Sequence, residues 1–313
     1  MRASSYNDKG CTVLGVFHNE AKAKKEVFKM AIFTNQASLI IGDSVTNSNI
    51  TEGEVVTGIN ITKRALTGSY RAGDTVSYIV TVSSASGGAL SGLTLTDNLG
   101  EYTPAGATAP VVPLEYIDGS LIYLVDGIEQ PTPTVIAGPP LTVSGLEAGA
   151  GSVIDILYSA RVGAAAPLGT GDSIVNTAQV TGAGLDTESA SAVITAQSTA
   201  AVTIAKALSP VTVGPDGIIT YTFIVQNTGN LPITSTDGAV IQDSFTPPLS
   251  DIEVTLDGVA LAEGTGYTYD GATGEFRTEG GILTVPAASY TQDALGNTVT
   301  TPGVAVLTVT GRI

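Results

Sequence analysis

Along most of this chain, apolar and polar residues alternate with a period of two. Val76-Ser77-Tyr78-Ile79-Val80-Thr81-Val82, Ile219-Thr220-Tyr221-Thr222-Phe223-Ile224-Val225 and Val153-Ile154-Asp155-Ile156-Leu157-Tyr158 show the pattern. It is the signature of strands with one buried face. Turns at Gly73-Asp74 and Pro215-Asp216-Gly217 interrupt it, and beyond Met30 no stretch carries the helical period. Short strands at close spacing predict an all-β chain and favour Ig-like antiparallel sandwiches over barrels.

The strands repeat. Ile61-Thr62-Lys63-Arg64-Ala65-Leu66 aligns with Ile204-Ala205-Lys206-Ala207-Leu208-Ser209, and the separation from Lys63 to Lys206 equals that from Tyr78 to Tyr221. Leu95-Thr96-Asp97 matches Ile241-Gln242-Asp243, Val125-Asp126-Gly127 matches Leu256-Asp257-Gly258, and 153–162 matches 304–313. The first repeat continues through Asn176-Thr177-Ala178; the second has no such segment before Ile313. A similar segment, Phe33-Thr34-Asn35-Gln36-Ala37-Ser38-Leu39, stands near the N-terminus instead. The expected organisation is two tandem Ig-like β-sandwich domains preceded by an N-terminal β-strand arm. The arm spans 30–57, a complete sandwich 58–198, and a sandwich lacking its last strand 199–313.

Residues 1–29 resemble nothing downstream and contain no apolar h-region of a secretory signal. A short helix around Glu20 to Met30 would be marginal alone. Lys25-Glu26-Val27 is encodable as a ribosome-binding sequence, so one expectation is that translation starts at Met30; the other is a real disordered tail.

The formal net charge of −16 argues against nucleic acid and anionic membranes, both of which call for clustered Lys and Arg. Cys11 and His18 are the only residues of their types, so no intrachain disulfide can form. Zinc sites and Ser-His or Cys-His catalysis have no support. No calcium-loop motif is present, and no cofactor, metal or enzymatic activity is expected.

The strand bearing Lys63, the Gly73-Asp74 turn, Tyr78, the Leu-Thr-Asp ending at Asp97 and the Asn176-Thr177-Ala178 strand together resemble a bacterial surface repeat. This is domain of unknown function eleven, related to a domain of a chlamydial cysteine-rich outer-membrane protein. The likeness covers nearly everything after Ser48 and is greatest to short clostridial proteins beginning near M-A-x-F-T-N-Q-A. Departures are the absent N-T-A strand in the second repeat, and Ser83-Ser84-Ala85-Ser86 in place of the N-x-G that Asn227-Thr228-Gly229 retains. The resemblance implies an extracellular structural role without catalysis.

Lys63, Asp97 and Asn176 lie on three strands of one repeat. They resemble the residue set of self-formed isopeptide crosslinks in Gram-positive pilins and adhesins. That chemistry needs a buried, neutral lysine amine as nucleophile. It also needs a buried, protonated acid to polarise the Asn carbonyl. The alternative is a solvated lysine, a turn-capping Asp97 and an Asn176 bonded to backbone. The second repeat keeps Lys206 and Asp243 without the Asn, a place that Asn35 of another subunit would fill.

The favoured expectation is a self-assembling structural protein of an extracellular or spore surface. It forms homo-oligomers by head-to-tail strand exchange, with no nucleic acid and no membrane insertion. Phe33, Asn35, Ala37 and Leu39 would form the donor strand. The alternatives are a monomer whose arm folds back, an arm that adds an edge strand to the first repeat, or an adhesin. An adhesin would act through loops such as Pro104 to Pro113 and Gly264 to Gly274, with Tyr267 and Tyr269 as contact residues.

Overall fold

The computed structural model describes residues 30–56, 58–85, 87–182 and 185–313; the expectations for residues 1–29 lie outside them. Two compact units divide between Val56 and Thr57. The first contains β1 (Met30–Asn35), β2 (Ser38–Ile41), β3 (Ser44–Asn47) and β4 (Thr51–Val56). These four strands pair among themselves, β1 with β4 and β2 with β3, both antiparallel. The arm is therefore a long hairpin, where the sequence reading expected a single strand. Pairing satisfies the backbone N–H and C=O groups that a lone strand leaves open. Near its tip, Leu39, Ile41 and Val45 are 61%, 69% and 60% exposed.

In the second unit, residues 59–196 form a complete sandwich. Its strands are β5 (Ile59–Ala65), β6 (Ser69–Tyr70), β7 (Thr75–Ser84), β8 (Leu90–Asp97), β9 (Leu114–Tyr116) and β10 (Ile122–Val125). They continue with β11 (Ile128–Glu129), β12 (Thr134–Ile136), β13 (Leu141–Ala148), β14 (Val153–Val162), β15 (Ser173–Thr181) and β16 (Glu188–Ala196). One sheet runs β11-β10-β14-β7-β5, with β9 on β14; the facing sheet runs β12-β13-β8-β15-β16-β6. Alternate residues of both sheets, including Val80, Val82, Leu95, Val143, Ile156, Ile174 and Ile194, meet in one core.

The remaining strands are β17 (Val202–Ser209), β18 (Ile218–Asn227), β19 (Gln242–Ser244), β20 (Ser250–Leu256) and β21 (Val259–Ala260). After them come β22 (Tyr267–Tyr269), β23 (Glu275–Thr278), β24 (Ser289–Gln292), β25 (Thr298–Thr301) and β26 (Gly303–Arg312). The sheet β17-β18-β26-β20-β21 reproduces β5-β7-β14-β10-β11 strand for strand. The matching Asp-Gly turns have φ of 51° and 76° at Asp126-Gly127 and 50° and 79° at Asp257-Gly258. Positive φ at both central residues is what a tight two-residue hairpin requires. The facing sheet, β19-β23-β22, corresponds to β8, β13 and β12 and ends where β15 would join. Among the described residues, this sandwich thus lacks a whole hairpin, the counterpart of β15 and β16, where a single missing strand was expected.

The two sandwiches are joined through a buried clamp. Asn227 Oδ1 accepts from the Ala201 and Gly229 N–H groups, each at 3.0 Å. Its Nδ2 donates to the Leu231 and Pro286 carbonyls at 2.7 and 3.1 Å. Asn230 holds Thr199 N–H at 2.8 Å and donates to Leu168 O at 3.0 Å. A Cβ at Gly229 would lie 2.2 Å from Thr199 O, so only glycine lets the linker backbone pass.

Candidate functional site

Lys63, Asp97 and Asn176 are brought together between the sheets of the complete sandwich. Lys63 points inward from β5, Asp97 ends β8, and Asn176 sits on β15, two residues before the Ala178 that pairs with Asp97. Lys63 Nζ donates to Asp97 Oδ2 at 2.6 Å, with both side chains 0% exposed. Asp97 Oδ2 also accepts from the Tyr158 hydroxyl at 2.5 Å, and Oδ1 accepts from the Leu99 N–H at 3.0 Å. Asn176 Nδ2 donates to the Tyr158 hydroxyl at 2.9 Å. Asn176 Oδ1, the carbonyl oxygen, is buried without a hydrogen-bond partner. An orphaned acceptor in a core is unfavourable and needs a physical reason.

The electrostatics follow from enclosure. Burial brings the Lys63 amine down to about 8, against the opposing attraction of Asp97. Nζ stands 5.0 Å from the ring centre of Tyr78 and 5.8 Å from that of Tyr158, and the two rings stack at 5.4 Å. Burial, with Asp97 adding to it, pushes the Tyr158 hydroxyl well up, so it stays a proton donor. Burial likewise pushes up Tyr78.

Tyr158 was not among the residues singled out from sequence. Its signal was the repeat comparison itself: Tyr158 pairs with Tyr78 on β7, while its counterpart Val309 pairs with Tyr221 on β18. The hydroxyl linking acid to amide belongs to one repeat only.

In the second sandwich Lys206 and Asp243 also form an ion pair, but in the open. Their side chains are 40% and 19% exposed. Lys206 Nζ lies 4.4 Å from the Tyr221 ring centre and 5.4 Å from those of Phe223 and Phe245, a cation–π setting. Val202, Ile204, Lys206 and Leu208 occupy the inward positions that Ile59, Ile61, Lys63 and Ala65 hold in β5. In the complete sandwich β16 covers that face. Ile59 is accordingly 4% exposed, whereas Val202 is 44% and Ile204 57% exposed.

The β1–β4 part of the arm repeats the pairing of the hairpin that covers the first groove, while β2–β3 pairs one residue out of step with it. Asn176 pairs with Ala192 and Asn35 with Thr51, the same spacing along the chain, and the ladders then run on in parallel through Ile174↔Ile194 and Phe33↔Gly53. In that register Phe33, Asn35, Ala37 and Leu39 stand at the positions of Ile174, Asn176, Ala178 and Val180, all buried in β15.

The loop residues considered for adhesion do other work. Tyr267 is 5% exposed in the second core, and the Tyr269 hydroxyl is bonded to the backbone of Leu249. The Tyr269 ring packs against Phe245 and the Tyr267 ring against Phe276. Tyr102 and Val111 pair across the 104–113 loop, and a Cβ at Gly296 would meet Val111 at 2.2 Å, so that loop abuts the second sandwich. Among the described residues no group of three or more His, Cys, Asp or Glu is placed to hold a metal, and no helix is long and apolar enough to cross a membrane.

No protein-family model and no curated protein sequence matches the chain. Solved structures similar to it include BcpA, the major pilin subunit of Bacillus cereus, at 13% identity and TM-score 0.33, covering 89% of this chain and 74% of that one. The pilus backbone RrgB from Streptococcus pneumoniae is similar at 10% identity and TM-score 0.29, over 78% and 55% of the two chains. A type II cohesin dyad from the ScaA scaffoldin of Acetivibrio cellulolyticus is similar at 11% identity and TM-score 0.23, over 82% and 85%.

Proposed function

We propose that the chain is a structural, surface-borne subunit that polymerises head to tail. The 30–56 hairpin of one copy completes the second sandwich of the next. One observation carries this reading: β1–β4 of the arm repeats the pairing of β15–β16 around Asn176, and the second sandwich exposes the very face that β15–β16 covers in the first. A donated hairpin supplies main-chain hydrogen bonds to the free edge of β19 and a lid for β17. The contact joins two different surfaces, so repetition gives a filament or a ring. A lone donated strand would pair with β19 and leave β17 uncovered, because β16 is the strand that faces β5.

The reading includes a covalent step in the first sandwich. Transfer of one proton from Lys63 Nζ to Asp97 Oδ2 leaves a neutral amine and a carboxylic acid. The amine attacks Asn176 Cγ, the new Nζ–Cγ bond forms and the Cγ–Nδ2 bond breaks. Nδ2 leaves as ammonia with a second proton from Nζ, passed through Asp97 and the Tyr158 hydroxyl, and Asp97 keeps the first. The unpartnered Asn176 Oδ1 is the atom on which charge builds, and the protonated acid would have to turn to it as donor. In an assembled fibre Asn35 would stand toward Lys206 and Asp243 as Asn176 does toward Lys63 and Asp97.

Electron microscopy and size-exclusion chromatography of the chain begun at Met30, with and without residues 30–56, test the assembly. Fibres or rings that vanish with the deletion are expected. A discrete monomer in both samples refutes polymerisation.

A further inference from the structure

Alignment of the two sandwiches reveals a paired exchange of side-chain size beyond the Asn–Lys–Asp set. In the first sandwich β15 is followed by Gly182, opposite Leu93 of β8. Leu93 is fully buried, and a Cβ at Gly182 would lie 2.5 Å from Leu93 Cδ2 and 3.4 Å from Leu185 Cδ1. A side chain at this position requires the fully buried Leu93 to shift.

The second sandwich and the arm reverse both sizes. Carried back from Leu95-Thr96-Asp97 on Ile241-Gln242-Asp243, the alignment sets Gly238 on Gly92, with φ of 62° and 61°, and Ala239 on Leu93. In the arm, counting along the first strand from Asn35 on Asn176 sets Leu39 on Val180 and Ile41 on Gly182, the one-residue offset between the β1–β4 and β2–β3 ladders falling on the returning strand. A small residue in the groove therefore meets a large one in the arm, where the first sandwich has the opposite. Around Ala239 the groove contains an apolar cavity of ≈ 250 Å³, lined by Val202, Ile204, Ile233, Ile241 and Val285 among others. Leu39 and Ile41, exposed on the free arm, are the apolar residues at the matching register positions.

We infer that the cavity at Ala239 is the seat of Ile41 from a second copy of the chain, and that the Ile41–Ala239 pair restricts the arm to second sandwiches. This rests on the assembly proposed above and adds the element that selects the groove. Against a first sandwich whose own hairpin has opened, Ile41 would strike Leu93. Against a second sandwich it fills a space that a glycine would leave empty. The occupant is committed by three features: the shared residue count from the asparagine along the first strand, the apolar lining, and the matched reversal of size.

The test uses full chains begun at Met30 and reads the critical concentration for polymerisation by pelleting and light scattering. Ile41→Gly and Ala239→Leu are each expected to raise it about tenfold or more, since each forfeits or blocks burial of most of an isoleucine side chain. The double variant I41G/A239L, which recreates the Gly182–Leu93 pair, is expected to return to within about threefold of wild type, because a matched pair restores the packing. Leucine at 239 is what the first sandwich carries at this place, and circular dichroism checks that each variant folds. Polymerisation that requires the arm but ignores both single changes, or a double variant worse than either, overturns the size pairing alone. Polymerisation unaffected by deletion of 30–56 overturns the assembly and this inference together.

Discussion

Replacing Asn176 with Ala removes the electrophile of the first sandwich and leaves Lys63, Asp97 and Tyr158 in place. With the Lys63–Asn176 bond formed, the chain between them is a closed loop of about 110 residues, and by loop-closure entropy a crosslink of that span stabilises by about 4.7 kcal/mol. A domain of this size loses about 3 °C in midpoint per kcal/mol, so Asn176→Ala should melt on the order of 15 °C below wild type. Lys63→Met also abolishes the bond, yet it replaces an enclosed cation with an apolar chain and leaves Asp97 its Tyr158 and Leu99 donors. Part of its loss is therefore offset, and it should melt between the other two. Intact-mass spectrometry gives the direct measurement, with scanning calorimetry beside it. Wild type should be lighter than its sequence by one ammonia, and both variants should have their full sequence mass. A folded wild-type chain at full mass refutes the reasoning, as does an Asn176→Ala variant that melts with wild type.

In Asn176→Ala the Lys63 amine remains free to titrate. Its folded value of about 8 lies below the unfolded 10.5, so between the two the unfolded chain binds more protons and stability rises with pH. The rise is best read in the lower part of that window, because the raised Tyr78 and Tyr158 act in the opposite sense once unfolded tyrosines ionise. A crosslinked wild type shows no such Lys63 rise in urea midpoints, and a flat curve for the variant contradicts the assigned burial effect. For the assembled form, wild-type fibres boiled in detergent should leave a ladder of multimers on a gel. Asn35→Ala and Lys206→Met should abolish the ladder while fibres remain visible by microscopy; a ladder that survives either change removes the intersubunit bond. Gly182→Ile should destabilise the first sandwich by about 1–3 kcal/mol through overpacking against Leu93, with partial recovery in L93A/G182I. Equal midpoints for wild type and Gly182→Ile would show that Leu93 yields at no cost.

Strand periodicity made the sandwiches legible, because alternation along β7, β14 and β18 coincides with their buried faces. The resemblance to the isopeptide residue set of pilins and adhesins drew Lys63, Asp97 and Asn176 into one list before any contact was known. Two features needed three dimensions. The hairpin nature of the arm is encoded in the pairing of Asn35 with Thr51, and the polar sequence Thr51-Glu52-Gly53-Glu54 carries little strand signal of its own. Tyr158 reads as one more inward aromatic until β14 is set beside β7 and its hydroxyl is seen to join Asp97 to Asn176. Ala239 was hidden for the same reason: a small residue announces nothing until its counterpart in the other repeat is seen to be a buried leucine packed on Gly182.

The two Lys–Asp pairs also explain why covering and bonding belong together. The same side chains stand on equivalent strands in both sandwiches, so what separates them is their surroundings. Lys63 is sealed beneath β16 with an amide at hand, whereas Lys206 lies in an open groove, partly exposed and resting on aromatic rings. Burial is the largest influence on Lys63, and it exists only because the β15–β16 hairpin is seated. The element that brings the asparagine is therefore also the element that removes the water. In the second sandwich a donated hairpin would do both at once, so bond formation waits on correct seating. A hairpin slipped by one residue turns Asn35 to the outer face and leaves nothing for Lys206 to attack. On the proposed assembly, covalent closure would then select the register that the apolar residues Leu39 and Ile41 first establish.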